Sequence, residues 1–261
     1  MNHQAGARPF LQQARLALAR SGFAPAEAGE ARVVLFDSAP WAALCADAEN
    51  LLDSRERERA RRFRHARDRD TYVLAHACWR VALGLTLATD AANVPLVSSE
   101  SGQPQLPDTG YATSLSHSDS HVAIAIAKAN TVGVDIERSP PRNALHDLID
   151  VLCAPVEAAA LETLPIAART PALLALWTRK EALLKAFGIG LRETPASIVA
   201  DVERRIEPPA SAPDAPACRV YQLDLPAPWV GALATPLAIT RHSLHWLDLS
   251  GCGERNSNAI A

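Results

Sequence analysis

The segment Val132-Gly133-Val134-Asp135-Ile136-Glu137-Arg138 sets two acids two residues apart in an otherwise apolar run. In an extended chain successive side chains point to opposite faces, so Asp135 and Glu137 share one face and Val134 and Ile136 the other. Two carboxylates side by side repel unless a cation or solvent intervenes. A hard divalent ion would take them as oxygen ligands. A solvated edge strand would carry the same pair, so this element alone leaves both readings open. A third acid lies further along. In 171–187, Trp177, Glu181 and Lys185 are spaced four apart and share one helical face. Such a Glu–Lys pair is also an ordinary surface stabiliser of ~0.2–0.5 kcal/mol, but the neighbouring Trp177 argues for a covered face. If this helix packs over the strand, Glu181 joins Asp135 and Glu137, and Lys185 reaches an anion held by the same metal. Magnesium suits a site of this kind, because it keeps waters and shares its ligands with substrate phosphates.

Two further stretches bear on phosphate. Ser114-Leu115-Ser116-His117-Ser118 offers hydroxyls and an imidazole that can donate to an anion, or form a serine-rich turn. Between Arg55 and Arg69 stand eight arginines against three acids. Arg55, Arg59 and Arg62 lie on one face, well shaped for phosphate forks. The Glu58–Arg62 spacing equally fits a solvated helix face. Carboxylates, lysine and arginines together also sketch a metal-dependent nuclease, but the 26 basic and 29 acidic residues give a net charge of −3. Nucleic-acid binders show a basic footprint over the domain, so nucleic acid is not the expected partner. No Gly-x-Ser-x-Gly elbow frames a serine hydrolase.

The elements that must position these residues read as α+β. A strand is expected at 31–38. A helix opens at Asp53, with Glu56 three residues on as an acidic capping box, and a second spans 70–87. Gly102, Pro104, Pro107 and Gly110 mark a loop, followed by strands at 112–117 and 121–127. The latter alternates Val122, Ile124 and Ile126 with alanine. A new strand covers 131–137 until Pro140 and Pro141. Helical patterns follow at 144–163 and 171–187, then strand candidates at 197–203, 218–224 and 230–240. The order strand, helices, strands occurs twice, giving an N-terminal extension at 1–30, halves at 31–129 and 130–250, and a frayed tail at 251–261.

Composition narrows the class. With 261 residues, 48% hydrophobic and 21% charged, disordered and collagen-like readings fall away. Five scattered cysteines without a Cys-x-x-Cys pair argue against a disulfide framework or structural zinc and fit a reducing compartment. Apolar runs stay far below the ~20 residues of a spanning helix. Residues 1–26 hold Arg8, Arg15 and Arg20 but one serine, so they read as a cover for a core edge rather than a leader. A cytoplasmic protein without a membrane partner is expected. His242 and His245, lacking acid or Cys partners at ligand spacing, are expected to be structural.

At Gly133-Val134-Asp135-Ile136-Glu137, at Trp177-Thr178-Arg179-Lys180-Glu181 with Lys185, and at Ser116-His117-Ser118, the sequence resembles the Sfp-type 4′-phosphopantetheinyl transferases, over about 31–247. The resemblance implies a monomer of two pseudo-duplicated α+β halves with coenzyme A between them. It implies transfer of the 4′-phosphopantetheine arm to a serine of an apo acyl or peptidyl carrier protein, releasing adenosine 3′,5′-bisphosphate. A non-catalytic module binding the same ligands is the alternative. By the resemblance, Asp135, Glu137 and Glu181 are magnesium ligands, with manganese able to substitute. Lys185 contacts the transferred phosphate, Glu181 or a metal-bound water takes the proton, and Trp177 is a packing anchor. Ser116, His117, Arg59 and Arg62 belong to the adenosine 3′-phosphate site. Two positions depart from the pattern: Gln103 stands where a lysine is usual and Thr71 where an arginine is usual, leaving Arg67 or Arg69 to compensate. Glu157 falls at a helix start where relatives often carry glutamate.

Overall fold

The computed structural model describes residues 9–99, 101–141 and 145–248. The tail expected at 251–261 and the first eight residues lie outside that range. Along the chain come α1 (Pro9–Arg20), β1 (Glu30–Asp37), α2 (Cys45–Ala48), α3 (Ser54–Arg61), α4 (Ala66–Thr86), β2 (Val97–Ser98), β3 (Pro104–Gln105), β4 (Ala112–Ser118), β5 (His121–Ala127) and β6 (Gly133–Arg138). Then follow α5 (Ile149–Leu152), α6 (Pro155–Glu162), α7 (Ile166–Phe187), β7 (Cys218–Gln222), β8 (Trp229–Pro236) and β9 (Arg241–Leu247). The fold is α+β, as expected. One sheet runs β4-β5-β1-β9 and another β6-β8-β7, with β2 and β3 as a separate ladder. All pairings are antiparallel except β1 with β9. The chain therefore returns to the first sheet after completing the second.

Both faces of the first sheet are covered, which accounts for the unbroken Val33-Val34-Leu35-Phe36 run. Val34, Phe36, Val122, Ile124 and Ile126 pack with α1 and α4. The opposite face offers Ala31, Val33, Leu35, Ala123, Ala125 and Ala127 to Val134, Ile136 and Leu233 of the second sheet. The alanines expected on the weaker face of β5 are thus what lets a second sheet come close.

At this seam β4 and β6 run side by side, joined by side chains instead of a backbone ladder. Val134 N–H donates to Ser114 Oγ at 3.2 Å, Ser116 Oγ donates to Asp135 Oδ1 at 2.7 Å, and Ser118 Oγ donates to Glu137 Oε2 at 2.8 Å. The shared period of two makes the three contacts one row.

Helix α7 begins five residues before the expected 171, with Pro171 inside it. Near the N-terminus proline keeps a helical φ and removes a single N–H bond. The helix expected at 144–163 is broken into short pieces. Ala154 is extended, ψ 154°, ahead of Pro155, because the proline ring disfavours the helical region for the residue before it; residue 144 lies outside the described range. No strand forms at 197–203 beyond an isolated bridge between Val202 and Val220. The carbonyls of Pro195 and Ile198 accept from Lys180 Nζ instead. The strand at 230–240 stops at Pro236, and Arg241 opens β9. No helix among the described residues is long and apolar enough to cross a membrane.

Candidate active site

Helix α7 is pressed onto β6 at Gly133. A Cβ there would lie 1.9 Å from the Ala182 carbonyl oxygen and 2.7 Å from the Ala186 nitrogen. Only glycine permits this approach, and it carries Glu181 and Lys185 over the acids of the strand. Lys185 Nζ donates to Asp135 Oδ1 at 2.7 Å and to the Val134 carbonyl at 3.0 Å. Asp135 is 5% exposed. Its Oδ1 thus accepts from both Lys185 and Ser116, while its Oδ2 is buried with no hydrogen-bond partner, as is Glu181 Oε1. Burial, then the charge of Asp135, lifts the Glu181 carboxyl to about 7, with Lys185 opposing and Glu137 adding to the rise. Glu137 is also raised, by burial first, with Ser118 and Trp177 pulling the other way and Asp135 reinforcing it.

A cavity of about 750 Å³ is lined by Glu181 and Lys185 together with Arg55, Arg59, His76 and Gln103. That is within the ~300–1,000 Å³ of small-molecule sites. The arginine helix is anchored from below. Asp53 and Glu56 form the expected capping box. The buried Arg80 donates through Nε to Glu56 Oε2 at 2.7 Å and through Nη2 to Asp53 Oδ2 at 2.8 Å. His76 Nδ1 lies 2.9 Å from Glu56 Oε1. His76 also stacks on Tyr72, and the Arg59 guanidinium lies over the same tyrosine at 5.9 Å.

The segment 131–234 matches the family model of the 4′-phosphopantetheinyl transferase superfamily. Over 183 residues the chain is 29% identical to 4′-phosphopantetheinyl transferase HetI of Nostoc sp., covering 68% of this chain and 75% of that protein. It is 27% identical to a 4′-phosphopantetheinyl transferase of Bacillus subtilis, covering 54% and 62%, and 30% identical to a phosphopantetheinyl transferase of Thraustochytrium sp., covering 59% and 58%. The chain thus spans less than two thirds of the latter two relatives. It is similar to this superfamily over 131–234, and to these transferases over longer stretches.

The matched stretch holds Asp135, Glu137, Glu181 and Lys185 but none of Arg59, Arg62, Ser116 and His117. The structure brings the first four together at one seam. Among the described residues, however, no three acid, His or Cys side chains form a group able to hold one metal ion. Lys185 donates to Asp135 and Ser118 to Glu137. The two orphaned oxygens, Asp135 Oδ2 and Glu181 Oε1, are what fits a divalent cation: buried, anionic in character and without a donor.

Ser116 is buried and is not among the residues lining the cavity. Its single proton is committed to Asp135. Desolvation first, then the charges of His76 and Lys185, hold the His117 imidazole below the ordinary range, and His117 is not among the residues lining the cavity. Arg59 lines both the main cavity and an outer recess of about 490 Å³, whereas Arg62 lines only the recess and pairs with Glu58 at 3.4 Å. Thr71 is buried, its hydroxyl 3.2 Å from that of Ser38. Arg69 pairs with Glu49 at 2.7 Å, away from the cavity. Trp177 packs against the core of the second half, as an anchor would.

Glu157 finds its role with Lys180, which is fully buried. The ammonium sits 2.6 Å from Glu157 Oε2, and the carboxylate accepts from the Ala154 and Ala200 amides. Lys180 thereby ties α6 and the 195–200 turn to the helix bearing Glu181. His242 and His245 are structural: His245 lies between Ser243 and the Ser21 carbonyl, and His242 lies against Tyr221. Sequence reasoning missed His76 and Tyr72 as parts of the site, for which the four-residue spacing of Tyr72, His76 and Arg80 was the available signal.

Proposed function

We propose that this chain transfers the 4′-phosphopantetheine arm of coenzyme A to a serine of an apo acyl or peptidyl carrier protein, acting as a magnesium-dependent cytoplasmic monomer. The observation that carries the reading is the pair of buried, unpartnered oxygens on Asp135 and Glu181, beside Lys185 in the wall of a cavity, within a chain similar to this superfamily.

The carrier serine hydroxyl attacks the β-phosphorus of the coenzyme A diphosphate. A new oxygen–phosphorus bond forms as the bond to the bridging oxygen breaks, and adenosine 3′,5′-bisphosphate leaves. Little covalent work falls to the protein, so positioning and charge stabilisation dominate. Asp135 Oδ2 and Glu181 Oε1 would hold magnesium or manganese, with Glu137 alongside, and the ion would neutralise charge on the diphosphate oxygens. Lys185 has an ammonium proton left over after Val134 and Asp135, and offers it to the transferred phosphate. The serine proton passes to Glu181, directly or through one water; a carboxyl near neutrality suits that exchange. Arg55 and Arg59, which line the same cavity, take the nucleotide phosphates, with His117 on the neighbouring strand as a further donor.

The test is intact-mass measurement of a purified apo carrier protein after incubation with this protein, coenzyme A and magnesium. A gain of the phosphopantetheine mass is expected. No gain, or DNA cleavage in its place, would overturn the reading.

A further inference from the structure

Gln103 occupies a position where a cation was expected, yet its side chain is turned onto the catalytic helix. Its Nε2 donates to the Lys185 carbonyl at 2.9 Å, across 82 residues of sequence. Helix α7 ends there in a left-handed cap. Gly188 has φ +72°, its N–H reaches the Lys185 carbonyl at 3.2 Å, and Ile189 N–H reaches the Leu184 carbonyl at 3.2 Å. This is the Schellman arrangement. It leaves one lone pair on the Lys185 oxygen, which Gln103 fills. The fit is close on the other side too: a Cβ on Gly188 would come within 2.4 Å of Gln103 Oε1. Gln103 is itself fixed in its turn, where its N–H donates to Ser99 Oγ at 3.1 Å and its carbonyl accepts from Ser99 N–H at 2.9 Å.

The two partners differ in firmness. Helix α7 is buried against β6 and β8, whereas β2 and β3 form a two-residue ladder with Val97 42% exposed. A ladder this short has little stability of its own. The turn and the helix end meet in the lining of the main cavity, to which Ser98, Gly102, Gln103, Lys185 and Gly188 all contribute. We infer that Gln103 is a positioning residue: its amide clamps the β2–β3 ladder to the last turn of α7 and so fixes one wall of the cavity beside Lys185. Holding the wall governs how well a ligand is bound, while the reacting groups on α7 and β6 keep their own supports.

Two measurements on Q103A and Q103E test this. The second variant keeps the shape but turns an acceptor toward the Lys185 carbonyl. The first measurement is native-state amide hydrogen exchange, which needs no assumption about the reaction. In both variants the Ser99 and Gly102 amides are expected to exchange about three- to tenfold faster, the equilibrium worth of one lost hydrogen bond, with β6 and β8 unchanged. Wild-type exchange in Q103A, wild-type exchange in Q103E, or acceleration throughout the chain would each overturn the clamp. The second measurement rests on the proposed transferase reading. The KM for coenzyme A is expected to rise by about the same factor, with kcat moving less. A fall in kcat at unchanged KM would overturn the inference. A wild-type protein without transfer activity would count against the function reading alone, since exchange still decides the clamp.

Discussion

Gly133 lies so close to Ala182 that a single added methyl group would stand 1.9 Å from the Ala182 carbonyl oxygen. Because both partners are backbone, neither can swing aside. The close approach also sets where Glu181 and Lys185 meet Asp135. Gly133→Ala is therefore expected to destabilise the fold by about 3 kcal/mol or more, the upper range of overpacking, and to abolish transfer in whatever fraction stays folded. Denaturant titration checks the first part. Stability within about 0.5 kcal/mol of wild type, the range of a neutral surface change, would contradict the packing.

Ser116 donates its only proton to Asp135, so its removal should be felt by the cation and not by the nucleotide. Ser116→Ala is expected to raise the magnesium concentration needed for half-maximal transfer by about 10–100-fold, as for other groups that orient a metal ligand. The KM for coenzyme A at saturating magnesium should change little. The reverse pattern would show that Ser116 contacts phosphate.

The acid on α7 makes a pH prediction whose sign is fixed by burial. In the metal-free protein the Glu181 carboxyl is raised from 4.5 to about 7. Ionising it is thus harder in the fold than in the unfolded chain. The penalty is absent below pH 4.5, grows up to about pH 7 and is constant above that. Glu181→Gln removes it. The stability gain of this variant over wild type, with chelator present, should rise across that window toward a ceiling of roughly 3 kcal/mol. A gain that does not vary with pH would contradict it.

Under the arginine helix the sign is opposite. Burial pushes the Glu56 carboxyl up, but the hydrogen bond and charge of His76, together with Arg80, outweigh it and hold it below 4.5. Its contribution is present above the unfolded value and is lost as pH falls through the folded one. Wild type should therefore exceed Glu56→Gln in stability at pH 7, with the gap closing below about pH 4.5. Arg80→Met, which leaves Glu56 and Asp53 without their cation, should cost about 3–5 kcal/mol at pH 7.

The sequence made the carrying elements legible because their signals were local. Period-two alternation marked β5 and β6, the Asp53–Glu56 pair marked the start of α3, and Gly188 marked the end of α7. What stayed hidden depended on distant partners. The buried Lys180 reads like any surface lysine until Glu157 and the carbonyls of 195 and 198 surround it. In the strand expected at 197–203, the Ile198 carbonyl is likewise taken by that distant side chain. Ser116 and Ser118 carried a polar signal that fitted phosphate as well as carboxylate. Only the alignment of β4 beside β6 assigns their protons. Gln103 looked like a missing charge, and its contact with Lys185 spans 82 positions that no local pattern connects.

The central claim is that Asp135 and Glu181 jointly hold a divalent cation against a diphosphate. Manganese titration followed by electron paramagnetic resonance, with coenzyme A present, tests it most directly. The wild-type protein is expected to bind manganese, and Asp135→Ala and Glu181→Ala each to weaken that binding by more than about tenfold while remaining folded by circular dichroism. Wild-type manganese affinity in the Asp135→Ala, Glu181→Ala double variant would contradict the account.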